Sequence, residues 1–190
     1  MLALSTMRLV AAHLREAYSH PENRAAREGM MLAAMQGGLA FSNSSVALVH
    51  GMSRRLGAFF HVPHGLSNAM LLPVVTRFSV SGAMARYADC ARTLGAATSE
   101  QDDASAVAAL LQYLEKLNAD LAVPSPQAFG IDAARYRSVG QTMAAQALAS
   151  GSPANNPRVP TAAEIVALYE QAYSALPEEP GAAARGTTAK

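Results

Sequence analysis

The chain has 190 residues, of which 51% are hydrophobic and 15% charged, with a formal net charge of +1 at pH 7. This length suits one large domain or two small ones, and the near-neutral charge excludes the basic surface that nucleic-acid binding requires. The single cysteine, Cys90, excludes an intramolecular disulfide and is typical of a reducing compartment, so we expect a cytoplasmic protein.

The chain contains no candidate membrane span. Its apolar stretch at residues 30–41 is shorter than the roughly 20 residues that a helix needs to cross a bilayer. We interpret this stretch as a buried core helix in which Gly37 and Gly38 allow close packing. Near the N-terminus, Arg8 and His13 interrupt the apolar run too early for a secretory signal, so we expect no membrane association.

Apolar residues recur at helical spacing almost throughout the chain, and no convincing series of β-strands is present. Alanine, leucine and methionine supply most of the apolar mass, and these residues favour helices. The predicted helices, in chain order, span residues 2–18, 22–40, 46–56, 63–78, 83–94, 99–121, 132–148 and 161–176. We therefore predict an all-α fold, a multi-helix bundle, over residues 1–176, followed by a disordered tail at 177–190.

Polar residues and glycines mark several of the predicted helix boundaries. Thr161 and Glu164 have the spacing of a capping box. The stretch 99–102 resembles a capping box in which Asp replaces the usual Glu or Gln. Residues 43–45, Asn-Ser-Ser, are predicted to break the chain and to cap the third helix, and Gly95 is predicted to close the fifth.

Three of the five histidines fall in one segment between the third and fourth helices, at His50, His61 and His64. No acidic side chain lies near them in sequence, because the first one after Glu28 is Asp89. Histidines in an apolar segment without carboxylates suggest metal ligands whose partners come from elsewhere in the protein. Two imidazoles alone rarely make a catalytic metal site.

The two outer histidines of this segment are the stronger candidates for ligands. His50 is predicted mid-helix, where a lone histidine is more often a satisfied core residue. His64 follows Pro63 at a helix start, where the helix dipole favours the neutral, metal-binding ring. Residues 59–64 are predicted to form a loop because Pro63 makes Val62 extended. The two outer rings can then converge on one ion.

The other histidines are not expected to bind metal. The extended Val62-Pro63 step should make the His61 and His64 rings diverge, so we interpret His61 as part of a cleft wall. His13 and His20 are predicted to lie exposed on the polar side of the first helix. The adjacent Arg54 and Arg55 suit either an anionic substrate or cofactor phosphate, or an ordinary solvated helix end.

Other catalytic signatures are absent from the sequence. No Gly-x-Gly-x-x-Gly follows a strand, which argues against a dinucleotide-binding fold in this chain. No Gly-x-Ser-x-Gly elbow is present, and Cys90 lies inside a predicted helix without a nearby histidine.

A set of short sequence segments carries a family resemblance that covers roughly residues 3–173. The matching segments are Ala26-Arg27-Glu28-Gly29-Met30, Gly38-Leu39-Ala40-Phe41-Ser42-Asn43, His50-Gly51-Met52, Leu56-Gly57-Ala58, Pro63-His64-Gly65-Leu66-Ser67-Asn68-Ala69, Leu72-Pro73, Arg86-Tyr87-Ala88, and Asn156-Pro157-Arg158 with Thr161 and Glu164. The chain thereby resembles the C-terminal helical domain of the iron-containing (group III) alcohol dehydrogenases, which share a fold with dehydroquinate synthase-like proteins. The stretch from His50 to Pro73 is the most specific part.

The resemblance implies a metal site and a hydride-transfer activity. In that family an N-terminal α/β domain binds NAD or NADP, and the helical domain binds a divalent metal through one aspartate and three histidines. The metal is usually Fe²⁺ and sometimes Zn²⁺. His50 and His64 match the last two histidine ligands, whereas the aspartate and first histidine would precede Met1. The resemblance thus implies part of an enzyme that interconverts alcohols and aldehydes, incomplete by itself.

One position departs from the family pattern. Many members carry a histidine four positions after the first ligand of this pair, facing the nicotinamide and the substrate, and Arg54 stands there in this chain. The resemblance makes Arg54, Phe60 and His61 candidates for the wall of the substrate cleft. Without the N-terminal domain an apolar surface should be bare, so we expect a homo-oligomer, most simply a dimer.

Two alternatives remain open at this point. The chain can be a non-catalytic helical interaction module, or a remnant that lacks a full metal site. It can also be a complete small metalloprotein that recruits a distant carboxylate, such as Asp89 or Asp132, or a residue from a second subunit.

Overall fold

The computed structural model describes residues 1–174, which form eight α-helices and two short 3₁₀ helices without a β-strand. The prediction of an all-α fold is confirmed. The predicted tail at 177–190 and the end of the last predicted helix lie outside the described residues. The α-helices are α1 (Leu2–Ser19), α2 (Arg24–Ser44), α3 (Leu48–Phe60), α4 (His64–Ser79), α5 (Met84–Thr93), α6 (Asp103–Asp120), α7 (Ala133–Ala149) and α8 (Ala162–Tyr173), and the 3₁₀ helices are Val80–Gly82 and Ser152–Asn155.

Two predicted helix boundaries are confirmed by their hydrogen bonds. At the start of α8 the Glu164 N–H donates to Thr161 Oγ1 at 3.2 Å, and the Thr161 N–H donates back to the Glu164 carboxylate at 2.8 Å. These are the two reciprocal bonds of a capping box. After α5, Gly95 adopts a φ of +73°, a left-handed conformation that glycine reaches without steric cost.

The predicted capping box at residues 99–102 is wrong. Helix α6 begins at Asp103, and Asp102 is its N-cap, accepting a hydrogen bond from the Ser105 N–H at 2.7 Å. The side chain of Gln101 instead accepts from the Thr98 N–H at 2.8 Å. Thr98 and Gln101 therefore belong to a turn before the helix. The cap is Asp102, the last residue of the predicted capping box.

The predicted break at residues 43–45 occurs at Ser45, the last of them, whereas the predicted cap is wrong. Asn43 and Ser44 remain helical, and their side chains donate to the carbonyls of Leu39 and Ala40 at 2.7 and 2.9 Å. Such bonds to a carbonyl four residues earlier let short polar side chains stay in a helix. The chain leaves α2 at Ser45, with a φ of 69°, and α3 starts after Ala47, whose side chain makes no cap.

The third helix is longer than predicted, so the loop before His64 is shorter. Helix α3 continues through Phe60, and the connection consists of residues 61–63. His61 ends α3 in the left-handed conformation, with φ 56° and ψ 27°. Pro63 is the extended N-cap residue of α4 rather than its first helical residue, and His64 opens the helix.

The main core lies between α3, α4, α7 and α8. Three core tyrosines each donate a hydrogen bond from their hydroxyl to a main-chain oxygen: Tyr136 to Tyr169 at 3.0 Å, Tyr169 to Met52 at 2.8 Å and Tyr173 to Ile131 at 2.8 Å. These three buried hydroxyls are therefore satisfied and add directional contacts to the apolar packing. The bond from Tyr169 to Met52 fixes α3 directly. The largest fully buried aliphatic side chains of this core are Leu48, Met52, Leu56, Leu71, Val75, Met143 and Ile165.

Helices α1 and α2 form a hairpin beside this core. Its attachment includes Arg15, whose Nε donates to Asp120 on α6 at 2.8 Å and whose guanidinium lies 5.2 Å from the Tyr113 ring. The His13 ring lies against Gly29, where a Cβ atom would overlap it. His13 is half-buried, so its predicted exposure is wrong, whereas the predicted exposure of His20 is confirmed.

The prediction that residues 30–41 are a buried core helix is wrong. In α2 only Ala26 and Ala33 are buried, and several large apolar side chains of the stretch face outward. A Cβ at Gly37 would lie 3.4 Å from the Thr6 methyl group of α1, whereas one at Gly38 would face open space within residues 1–174. The close packing expected of the two glycines thus occurs at one of them. None of the described helices combines the length and hydropathy that a bilayer span requires.

Candidate metal centre

The structure brings the rings of His50 and His64 together. Their centroids are 5.3 Å apart, and the ring planes are inclined by 57°. His50 lies in the first turn of α3 rather than in mid-helix as predicted, and His64 is the first residue of α4. Both rings are therefore carried by helix N-termini.

The turn between the two helices explains this encounter. From His50 to Phe60, α3 advances by about 15 Å, so the loop must return along the helix for His64 to reach His50. The left-handed His61 reverses the chain direction, and Val62, only 3% exposed, fixes the loop against the core. A Cβ at Gly57 would lie 3.4 Å from the Val62 oxygen, so a glycine there helps the loop run close to α3.

The environment of His50 favours its neutral ring. The side chain is half-buried, and burial lowers its pKa below the usual value for histidine. The nearby positive charges of His64 and Arg54 lower the pKa of His50 further. A neutral imidazole keeps the lone pair with which histidine binds metals.

The spacing of the two rings fits a shared divalent ion. Nitrogen ligands lie about 2.0–2.1 Å from zinc in a tetrahedral site, which sets the centroids of two coordinating rings about 5 Å apart. The observed 5.3 Å agrees with this geometry. The two histidines therefore fit two positions of a metal site. Within residues 1–174 no third His, Cys, Asp or Glu joins them in such a group.

The two carboxylates considered as distant ligands have other roles. Asp132 is the N-cap of α7 and accepts a hydrogen bond from the Arg135 N–H at 2.8 Å. Asp89 lies 3.6 Å from the Arg92 guanidinium on the same helix. Both carboxylates are explained by local helix chemistry, and neither supports a complete metal site within this chain.

The adjacent arginines differ in their surroundings. Arg55 donates to the side chain of Gln146 on α7 at 3.2 Å, so it contributes to packing between helices. Arg54 is exposed, one turn after His50 on α3, and is near enough to lower the pKa of that histidine. The exposed Arg54 therefore fits both predicted alternatives, contact with an anionic group and an ordinary solvated position, and its role stays a prediction.

Phe60 and His61 lie at the end of α3. The Phe60 ring is 5.7 Å from Tyr136 on one side, and the Arg135 guanidinium lies 5.5 Å from its centroid. Phe60 is thus a half-buried margin of the core, whereas His61 is exposed. Their place in a substrate cleft stays a prediction.

Sequence reasoning missed Asn68, which contacts His64 from one turn further along α4. Its Nδ2 lies 3.1 Å from His64 Nε2 and 2.9 Å from the His64 main-chain oxygen. The signal was present in the sequence, because residues four apart on a helix are neighbours.

The Asn156-Pro157-Arg158 segment has a structural role within the described residues. The buried Asn156 amide donates to Ser79 Oγ at 2.9 Å and to the Arg158 oxygen at 2.7 Å. The Arg158 guanidinium lies 4.0 Å from the Phe78 centroid and donates to Glu164 at 2.6 Å. The segment thus joins the end of α4 to the start of α8.

Comparison with known proteins identifies the fold and its relatives. Residues 1–173 match the sequence model of a protein family, the C-terminal part of the Fe-containing alcohol dehydrogenase family. The 1,3-propanediol dehydrogenase of Citrobacter freundii is 33% identical over 172 residues, which are 90% of this chain and 43% of that protein. The NADPH-dependent butanol dehydrogenase of Clostridium saccharobutylicum is 28% identical over 173 residues, 90% of this chain and 44% of that protein.

Solved structures give the same result. A crystal structure of 1,3-propanediol oxidoreductase superposes with a TM-score of 0.85 at 31% identity, over 90% of this chain and 44% of that one. Alcohol dehydrogenase from Oenococcus oeni superposes with a TM-score of 0.83 at 30% identity, again over 90% and 44%. The helical bundle therefore has the fold of the C-terminal domain of these alcohol oxidoreductases.

The chain belongs to the Fe-containing alcohol dehydrogenase family, as the sequence resemblance predicted. It spans less than half the length of the relatives named above, 43–44% of each.

Proposed function

We propose that this chain is the helical, metal-binding part of an NAD- or NADP-linked alcohol dehydrogenase that interconverts small alcohols and aldehydes. The observation that carries the proposal is the convergence of His50 and His64, 5.3 Å apart, in a chain of this family. Fe²⁺ is the expected ion and Zn²⁺ the alternative. The names of the relatives, which include propanediol and butanol dehydrogenases, support an alcohol as substrate.

The chain's own residues would hold and orient the ion. When bound, a divalent metal acts as a Lewis acid on the substrate oxygen, and a nicotinamide cofactor carries the hydride. Burial, with the charges of His64 and Arg54, lowers the pKa of His50 and so favours its unprotonated ring. The bond from Tyr169 to the Met52 carbonyl holds the helix that carries His50. Arg54, Phe60 and His61 would line the cleft where the substrate enters.

A working site requires ligands beyond these two histidines. Catalytic zinc sites use three protein ligands and leave one position for water or substrate. Residues 1–174 offer no third ligand beside the pair. We therefore propose that an aspartate and a further histidine, together with a nucleotide-binding domain, come from a different polypeptide segment, and that the chain by itself is inactive.

Metal titration under anaerobic conditions tests the metal site. We expect Fe²⁺ and Zn²⁺ to bind the purified chain one to one, and we expect His50→Ala and His64→Ala each to weaken binding at least about tenfold, since each removes one of two ligands. His20→Ala is the matched control, because this histidine is exposed, follows α1 and is not part of the pair. Equal affinity in wild type and both ligand variants would refute the assignment.

A second function, as an interaction module, is favoured by the outer face of α2. Met31 is 75% exposed, Met35 56% and Leu39 48%, and their spacing of four residues places them on one face of the helix. Contiguous exposed apolar side chains mark interaction surfaces. We propose that a second copy of this chain covers this face and forms a homodimer. We also propose a cytoplasmic location, where the free thiol of Cys90 would stay reduced.

A further inference from the structure

Asn68 makes two contacts with His64 through a single amide nitrogen. Its Nδ2 lies 2.9 Å from the main-chain oxygen of His64 and 3.1 Å from Nε2 of the ring. The amide nitrogen carries two hydrogens, so it can donate to both acceptors at once. The Asn68 amide therefore bridges the main-chain oxygen of His64 and the imidazole ring of the same residue.

The main-chain contact fixes which way the amide faces. Turning the amide by 180° would place Oδ1 where Nδ2 now lies, 2.9 Å from the His64 oxygen. Two oxygens that only accept hydrogen bonds repel each other at that distance. Oδ1 is buried without a hydrogen-bond partner in the described part of the chain, so no competing acceptor contact favours the turned amide. The NH₂ group is thus directed at the ring irrespective of the ring's own state.

The directed NH₂ group determines where the ring carries its proton. A donor facing Nε2 requires a lone pair on that nitrogen, and in a neutral imidazole the proton must then be on Nδ1. We infer that Asn68 is a positioning residue that holds His64 as the Nδ1–H tautomer and reserves the Nε2 lone pair for a cation.

This arrangement differs from the usual support of a metal-binding histidine. In most metal sites a partner accepts a hydrogen bond from the ring nitrogen that does not bind the metal. In the inferred arrangement Nε2 is the nitrogen that would bind the cation, so the Asn68 N–H would occupy that lone pair until a cation replaces it. The part of the inference that concerns the cation rests on the proposed metal site, whereas the tautomer does not.

The tautomer can be measured on the metal-free chain. Long-range ¹H–¹⁵N correlation spectra, recorded at a pH where the rings are neutral, distinguish a protonated from an unprotonated imidazole nitrogen. We expect the proton of His64 on Nδ1 in the wild type. In Asn68→Leu, a variant of similar side-chain size without a donor, we expect it to move mainly to Nε2, the tautomer that free imidazole side chains prefer.

A matched control comes from another helix. Asn43 donates to the Leu39 main-chain oxygen, four residues earlier, at 2.7 Å, and it is part of no histidine contact in the described structure. Asn43→Leu removes the same type of backbone bond and should leave the His64 tautomer unchanged. If Asn68→Leu does not fold, as judged by circular dichroism, Asn68→Asp replaces the donor with an acceptor and should likewise place a proton on Nε2.

Two results would overturn the role of Asn68. One is a wild-type His64 with its proton on Nε2, and the other is an Nδ1–H tautomer that persists in the folded Asn68 variant. Zinc then tests the cation separately: in the wild type it should shift the Nε2 resonance and leave the Nδ1 proton in place. Coordination through Nδ1 would contradict the reserved lone pair. Zinc that shifts neither His50 nor His64 would refute the metal site itself, while the metal-free spectra still decide the tautomer.

Discussion

At the scale of single residues, adjacent positions on α3 have distinct roles. His50 is half-buried, and burial together with the charges of His64 and Arg54 lowers its pKa. The helix turns by about 100° per residue, so neighbours in sequence face different surroundings. Arg54 consequently faces solvent near the histidines, whereas Arg55 reaches α7. The basic pair that the sequence presents as one feature is therefore two separate features.

This difference predicts the effect of truncating each arginine. Arg55→Ala should lower the free energy of unfolding by about 1 kcal/mol, because it removes the bond to Gln146 and the packing of the side-chain stem. Arg54→Ala should change it by no more than about 0.5 kcal/mol, as is usual for exposed positions. Urea unfolding measures both values. A loss at Arg54 equal to that at Arg55 would contradict the solvent-facing position.

At the scale of elements, the α1–α2 hairpin depends on a close contact between a ring and a glycine. The His13 ring occupies the space that a side chain at Gly29 would fill. No residue of α1 is buried, so α1 is held by its packing against α2, which includes this contact, and by polar links to other helices such as Arg15 to Asp120. Exposed ion pairs contribute little to stability. The packing between α1 and α2 is therefore the larger contribution to the stability of the hairpin.

The glycines of α2 provide a matched test of this packing. Gly29→Ala should lower the free energy of unfolding of the hairpin by about 1–3 kcal/mol, because the methyl group overlaps the His13 ring. Gly38→Ala, in the same helix but facing open space, should instead stabilise it by about 0.5–1 kcal/mol through helix propensity. Hydrogen exchange of α1 and α2 amides reports both changes.

The double variant His13→Ala with Gly29→Ala serves as the control. Removing the ring provides room for the added methyl group, so part of the lost stability should return. If Gly29→Ala and Gly38→Ala had the same effect on amide exchange, the close contact would not govern the hairpin.

At the scale of the whole molecule, burial is unevenly distributed. The core between α3, α4, α7 and α8 is dense and holds the two histidines at its margin, whereas α2 presents large apolar side chains to solvent. Monomeric proteins rarely leave large contiguous apolar patches exposed. The bundle therefore has a buried core with the histidines near its margin and an exposed apolar face on α2.

Charge substitutions on that face test the proposed homodimer. The double variant Met31→Glu with Met35→Glu should shift the chain from dimer to monomer, because two carboxylates cannot be desolvated in an apolar interface without partners. Val159→Glu is the control, since Val159 is 60% exposed and lies outside α2. Sedimentation velocity at several protein concentrations gives the mass of each species. A wild-type chain that stays monomeric at the highest concentration would refute the homodimer.

Much of the fold followed from local patterns in the sequence. Helical periodicity predicted the all-α fold, and Thr161 with Glu164 marked the start of α8, because a capping box involves only residues within one turn. The errors arose where several local solutions compete. Asn43 and Ser44 bond back into α2 instead of capping the next helix, and a cap shifts from Ser99 to Asp102. Sequence patterns specify the available hydrogen bonds but not which of them the fold uses.

The sequence by itself determined the family, the helical class and the identity of the two candidate ligands, since these depend on residue types and their spacing. Only the tertiary structure decided that His50 and His64 meet, because their encounter depends on the left-handed turn at His61 and on the burial of Val62 against the core. It also decided that Met31 and its neighbours face outward. A helix with apolar residues around much of its circumference has no local signal for which face packs, and the choice is made by the helices around it.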